Sequence, residues 1–113
     1  MSGIVIISSF WTKFFSLGKA GGVTIFPFIF LRFSADKHNE ILINHEQIHI
    51  RQALEMLIIP FYIWYLIEFL VKYIENKNWN IAYHQISFEK EAYANEMNLD
   101  YLNERSFWSF LKY

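Results

Sequence analysis

The chain is 113 residues long, enough for one domain with a single core and too short for two independent ones. Ten Lys and Arg against eleven Asp and Glu give a net charge of -1, which leaves no basic footprint for nucleic acid. The lack of cysteine excludes disulfide frameworks, thiol catalysis and cysteine-type zinc sites, so histidine and carboxylate remain as the strong metal ligands.

The apolar share is 54%, with 20% aromatic and a mean hydropathy of +0.15, against about 45–50% apolar in ordinary soluble domains even with glycine counted. Composition therefore leans toward membranes, and the surplus is expected to meet a membrane surface or a further copy of the chain. The opening run "MSGIVIISSFW" lacks the basic n-region and small-residue cleavage site of a secretory signal, so it is read as part of the fold. The expected location is cytoplasmic, with membrane association open.

Residues 3–33 read as strand-like and apolar, broken at Gly18, Gly21 and Gly22. The run "GGVTIFPFIFLRF" is dense in β-branched and aromatic residues, and Pro27 argues for an edge strand or a bulge because proline cannot donate to a ladder. A hairpin, or two strands of a small sheet, is expected. Residues 34–40, "SADKHNE", form a polar loop in which Asn39 or Asp36 can cap a helix beginning near 39–41. That helix should run to about residue 58, where Pro60 interrupts the backbone bonding and starts a second helix over 61–75. The polar turn "ENKNWN" ends the second helix, and a third is expected over about 85–103, before the aromatic tail "RSFWSFLKY". The expectation is one mostly helical α+β domain over residues 1–113, a small N-terminal antiparallel hairpin or sheet followed by three helices.

Residues 54–74, "LEMLIIPFYIWYLIEFLVKYI", come close to the roughly 20 apolar residues that cross a bilayer. Pro60, Glu55, Glu68 and Lys72 lie within them, and a central charge costs about 2.5 kcal/mol or more on insertion. A core helix, or one lying on a membrane surface, is favoured over a span.

The stretch "ILINHEQIHIRQ" places His45 and His49 four residues apart on the first helix, hence on one face, where both imidazoles can reach one ion. Glu46 is offset by one residue, beside the ion without ligating it, where a carboxylate can take a proton from water. An H-E-x-x-H pattern arises by chance on the order of once in a hundred such chains, so context must decide. His45 and His49 share their strip with Gln52 and Met56, while Ile43, Ile50 and Leu54 cluster opposite, so one face can be core and the other a site. His38, in the polar loop, and His84, near a turn, have no partner at ligand spacing and read as ordinary histidines.

A catalytic metal needs a third protein ligand. In "ISFEKEAYANEMNLDYL", Glu89, Glu96 and Asp100 fall on a narrow polar strip between apolar flanks, where a carboxylate must be paired, protonated or on a metal. Glu91 lies on another strip with Ser87 and Asn98 and reads as more solvated.

"NHEQIH" followed by "FEKEAYA" resembles the gluzincin zinc metallopeptidases, whose first motif helix carries H-E-x-x-H and whose second carries a glutamate ligand. It is also similar to a group of small bacterial predicted zinc peptidases with H-E-x-I-H and E-x-E-A-Y-A-N-E. The match covers residues 44–52 and 87–102, and "GGVTIFPFIFLR" resembles the strand before the motif in that group. The resemblance implies a minimal zincin-like domain acting on a peptide or protein, with Zn2+ held by His45, His49 and Glu89 and with Glu46 as general base. Glu91 stays open as the alternative ligand, with Asn95 as its i+4 neighbour. Tyr93 stands where better-known gluzincins place an aspartate that steadies the histidines, which leaves the outer support of the ligands open. Tyr93 and Tyr83 are candidate oxyanion donors, with core packing as the plain alternative, and the edge strand could hold an extended peptide by strand addition. The competing expectation is a non-enzymatic helical interaction or membrane-surface module whose H-E-x-x-H site is structural or inactive.

Overall fold

Ser8 decides the first departure from a purely strand-like N-terminus. In the computed structural model, which describes residues 3–16 and 21–113, the Ser8 hydroxyl accepts the Trp11 amide and its carbonyl accepts that of Thr12. These bonds nucleate a helix, α1 (Ser9–Ser16), directly after strand β1 (Ile4–Ile7). Apolar Phe10, Trp11 and Phe14 follow helical rather than alternating spacing, which is why the segment is not strand throughout. The expected break at Gly18 lies outside the described residues.

Strands β2 (Gly22–Ile25) and β3 (Phe28–Leu31) form the expected antiparallel hairpin, and β1 adds to β3 in parallel, giving the order β1-β3-β2. Pro27 is in neither an edge strand nor a bulge. It occupies the tight turn between β2 and β3, after a cis Phe26–Pro27 bond, where its missing N–H costs the ladder nothing. Alternation along β3 buries Ile29 and Leu31, which pack with Ile50 of the next helix as one small core.

Asn39 caps helix α2 (Glu40–Glu55), its side chain accepting the Leu42 amide. Both faces of α2 are buried, one toward the sheet through Ile50 and one toward the later helices through Ala53 and Met56. The polar residues 44–46, 49 and 52 are thereby enclosed rather than solvated.

The expected continuous helix to residue 58 stops at Glu55. Leu57 and Ile58 take positive φ values of 60° and 71°, costly for side chains of their size, and the chain turns so that α3 (Ile59–Asn76) leaves at 114° to α2. Pro60 sits in the first turn of α3, where its absent amide is harmless. The apolar run 54–74 is therefore split between two directions, and no single helix among the described residues is long and apolar enough to cross a membrane.

The third predicted helix, over about 85–103, is broken in two, and a short helix before it takes up part of the expected polar turn. Asn78 caps a short helix α4 (Trp79–Gln85), α5 spans Ser87–Asn95, and α6 spans Tyr101–Glu104. The break after Asn95 has a tertiary cause: Asn44 of α2 donates its side-chain amide to the carbonyls of Glu96, at 2.8 Å, and Asn98, at 3.0 Å. Those bonds satisfy carbonyls at the end of α5 and divert the chain. A second core joins Met56, Phe61, Ile86, Phe88 and Phe110, with the Phe88 and Phe110 rings 4.5 Å apart. Complete burial of a side chain such as Phe88 is worth about 1.5–3 kcal/mol, so the aromatic tail is partly a core element.

Candidate metal centre

Helices α2 and α5 bring three of the predicted residues together. His45, His49 and Glu89 are only 3–4% exposed, and one ligand atom from each lies within 4.8 Å of the others. Both histidine Nε2 atoms stand 3.1 Å from the same oxygen, Glu89 Oε1.

The opposite ring nitrogens fix the tautomers. His45 Nδ1 donates to Glu96 Oε2 at 2.8 Å, and His49 Nδ1 donates to Gln52 Oε1 at 2.8 Å. Gln52 is itself oriented, because its amide nitrogen donates to the Phe88 carbonyl and to Glu91 Oε1. With both Nδ1 atoms committed as donors, each Nε2 presents a lone pair to a carboxylate oxygen. Three electron-rich atoms facing one another require a cation among them, either a proton or a metal. Burial opposes charge on His49, but the Glu89 carboxylate, followed by Glu46 and Gln52, outweighs it and pushes the imidazole pKa up to about 9. Burial likewise opposes ionisation of Glu89, yet His49 and His45 hold it well below the usual carboxylate range. The pocket is built to hold positive charge.

The spacing fits an ion as well as a proton. Ligands at about 2.0–2.1 Å from a tetrahedral centre are separated by about 3.3 Å, near the contacts seen here, and two imidazoles with one carboxylate form a donor set that zinc accepts.

The unassigned outer support has an answer that local spacing concealed. Glu96, beyond the end of α5, takes the place opened by Tyr93, and Gln52 serves His49. Tyr93 instead sets its ring edge against His45, with centroids 4.4 Å apart. Tyr65 of α3 donates its hydroxyl to Glu89 Oε2 at 2.7 Å, leaving Oε1 for the histidines. Burial first, and then Glu89, pushes the Tyr65 pKa well up, so it remains a donor. No motif points to Tyr65; only the α2–α3 corner brings it there. Replacing Glu96 or Gln52 with alanine should weaken metal affinity about 10–100-fold, read by competition with a chromophoric chelator. Unchanged affinity in both variants would show that these bonds do not orient the ligands.

Glu91 is not solvated. It is fully buried, bonded to Arg105, Tyr101 and Gln52, and offers no atom to the ligand group. Helical phase along α5 alone carries no trace of the C-terminal segment that folds over it. Asp100 is exposed in the turn before α6 and does not join Glu89 and Glu96. Asn95 bonds the Glu91 carbonyl rather than its carboxylate. His38 and His84 are exposed and outside the ligand group.

Glu46 is buried beside this centre, with the Thr24 hydroxyl of β2 3.1 Å from its Oε1. Burial raises the Glu46 pKa, while His49 and His45 oppose the rise. Glu46, His45, His49 and Glu89 line a cavity of about 560 Å³, walled by β2, α3 and α4. Tyr83 and Tyr93 line it too. Comparison with known proteins leaves the centre to be judged on its own geometry, since no family model, curated protein or solved structure matches this chain.

Proposed function

We propose that this protein is a small zinc-dependent metallopeptidase, with His45, His49 and Glu89 holding the ion and Glu46 acting as general base. The observation that carries the reading is the pair of Nε2 lone pairs, fixed by Glu96 and Gln52, that converge on Glu89 Oε1 beside a buried carboxylate in an open cavity. When bound, zinc supplies a Lewis acid that polarises a carbonyl and acidifies water.

The remaining roles belong to the chain. Glu46, with its proton affinity raised by burial, accepts a proton from water and returns it to the leaving amine. Thr24 holds Oε1 of that carboxylate, and Tyr65 holds Glu89 in a one-oxygen pose. Tyr83 and Tyr93 are hydroxyl donors for a developing oxyanion. Strand β2 pairs with β3 on one side and lines the cavity, so an extended peptide laid along its other edge would pass the ligands. The volume lies within the range of about 300–1,000 Å³ usual for ligand sites, which favours an enzyme over a purely structural module.

Elemental analysis of the purified protein should find about one zinc per chain, the stoichiometry of a single three-residue donor set. His45→Ala and Glu89→Ala should lose it, and Glu91→Ala should keep it. Full metal in the Glu89→Ala variant, or none in the wild type, would remove the site; cleavage of a peptide library that survives chelation would remove zinc from the reaction.

A further inference from the structure

The outward face of α3 is a different surface from the metal centre. At 100° per residue, the side chains of Ile59, Ile63, Ile67, Leu70, Val71 and Ile74 share an outward arc, and they are between 46% and 71% exposed. Two polar residues of the same helix face the protein, while Lys72 pairs with the exposed Glu75. Glu68 accepts the Ser87 amide and hydroxyl, and Asn76 donates to Gln85. The inward face also carries Phe61, Tyr65 and Phe69, so α3 is apolar on both sides, whereas a helix on a water-facing surface is polar outward.

We infer that the outward face of α3 lies in the surface of a lipid bilayer, with the helix in the membrane plane. Three observations select lipid over a second copy of the chain. The apolar arc is roughly 180° wide, whereas a partner helix covers a stripe of about 100° and would leave the flanks wet. The arc carries no formal charge, and its hydrogen-bonding groups are confined to its two edges, Trp64 on one and Tyr73 on the other. Amphipathic rings at both flanks suit the boundary between acyl chains and headgroups, while a protein interface of this length would carry polar partners within it. Finally, the arc runs from Ile59 to Ile74, about 24 Å, continuous along the helix. Leu66 belongs both to this arc and to the cavity lining, so the cavity adjoins the lipid-facing surface.

The test is flotation of the full-length protein with phosphatidylcholine vesicles, comparing wild type with an Ile67→Glu, Leu70→Glu double variant. Neither position lines the cavity, and circular dichroism of both proteins reports folding independently of lipid and metal binding. The wild type should float, and the variant should partition at least about tenfold less, as expected when two apolar contacts become charges. Bromine-labelled acyl chains should also quench the wild-type tryptophan fluorescence, and Trp64→Phe should reduce that quenching. Equal flotation of the double variant overturns the inference. So does a wild type that stays in the aqueous fraction as a dimer which the double variant dissociates, since that assigns the face to a second copy.

Discussion

Glu46→Gln should abolish hydrolysis while leaving the metal content at the wild-type level. The amide keeps the size of the carboxylate and can still accept the Thr24 hydroxyl at Oε1, so the corner between β2 and α2 is preserved. It cannot accept a proton. Loss of a positioned general base costs about 10²–10⁴-fold in rate, and the effect should fall on kcat more than on KM because the amide still fills the same volume. Glu46 makes none of the contacts that define the ligand group, so zinc should be retained. The paired measurement is turnover on a cleaved peptide beside zinc per chain. Wild-type turnover in the variant would remove Glu46 as the base, and loss of zinc would make it part of the ligand set.

Arg105→Ala should be the most destabilising single change outside the apolar core. The Arg105 guanidinium is fully buried and bonds Glu91 through Nε and Nη2 and Glu55 through Nη1. The Glu55 carboxylate also accepts the Trp108 amide, so this cluster ties the C-terminal segment to α2 and α5. Removing the cation leaves two buried carboxylates without a counter-charge, a loss of about 3–5 kcal/mol. For a domain of this size that corresponds to a fall in Tm on the order of 10–20 °C. Burial favours the neutral form of Glu91, yet Arg105, with Tyr101 and Gln52, holds its pKa below the usual range, consistent with an ionised partner. Thermal unfolding followed by circular dichroism checks the loss; an unchanged midpoint would show the cluster to be neutral to stability. Glu91 also anchors Gln52, which orients His49, so a folded Arg105→Ala fraction should bind zinc more weakly than wild type.

Features whose physics lies within a few residues of chain were legible in the sequence. The Asn39 cap, the Pro60 start and the hairpin of "GGVTIFPFIFLRF" depend on local backbone chemistry, and all three are present. The i, i+4 placement of His45 and His49 follows from helical pitch alone, and helical phase put Glu89 among the candidates, from which the resemblance singled it out. Local reasoning failed where a distant group intervened. Asn44 ends α5 by capturing carbonyls 52 and 54 positions away, and Arg105 reaches back across 14 positions to make a buried Glu91 tolerable.

The sequence by itself determined the class of fold, the central helix and the placing of His45, His49 and Glu46 on it, because pitch, capping and burial preference act along the chain. The tertiary structure decided what makes those residues a site: that Glu96 and Gln52 fix the two tautomers, that Tyr65 holds Glu89, and that Glu91 belongs to the arginine cluster. It also showed that Glu68 and Asn76 of α3 bond inward while an apolar arc of the helix is exposed. Each of these is a bond or an exposure between elements far apart in sequence, and its energy exists only once packing has excluded water from both partners.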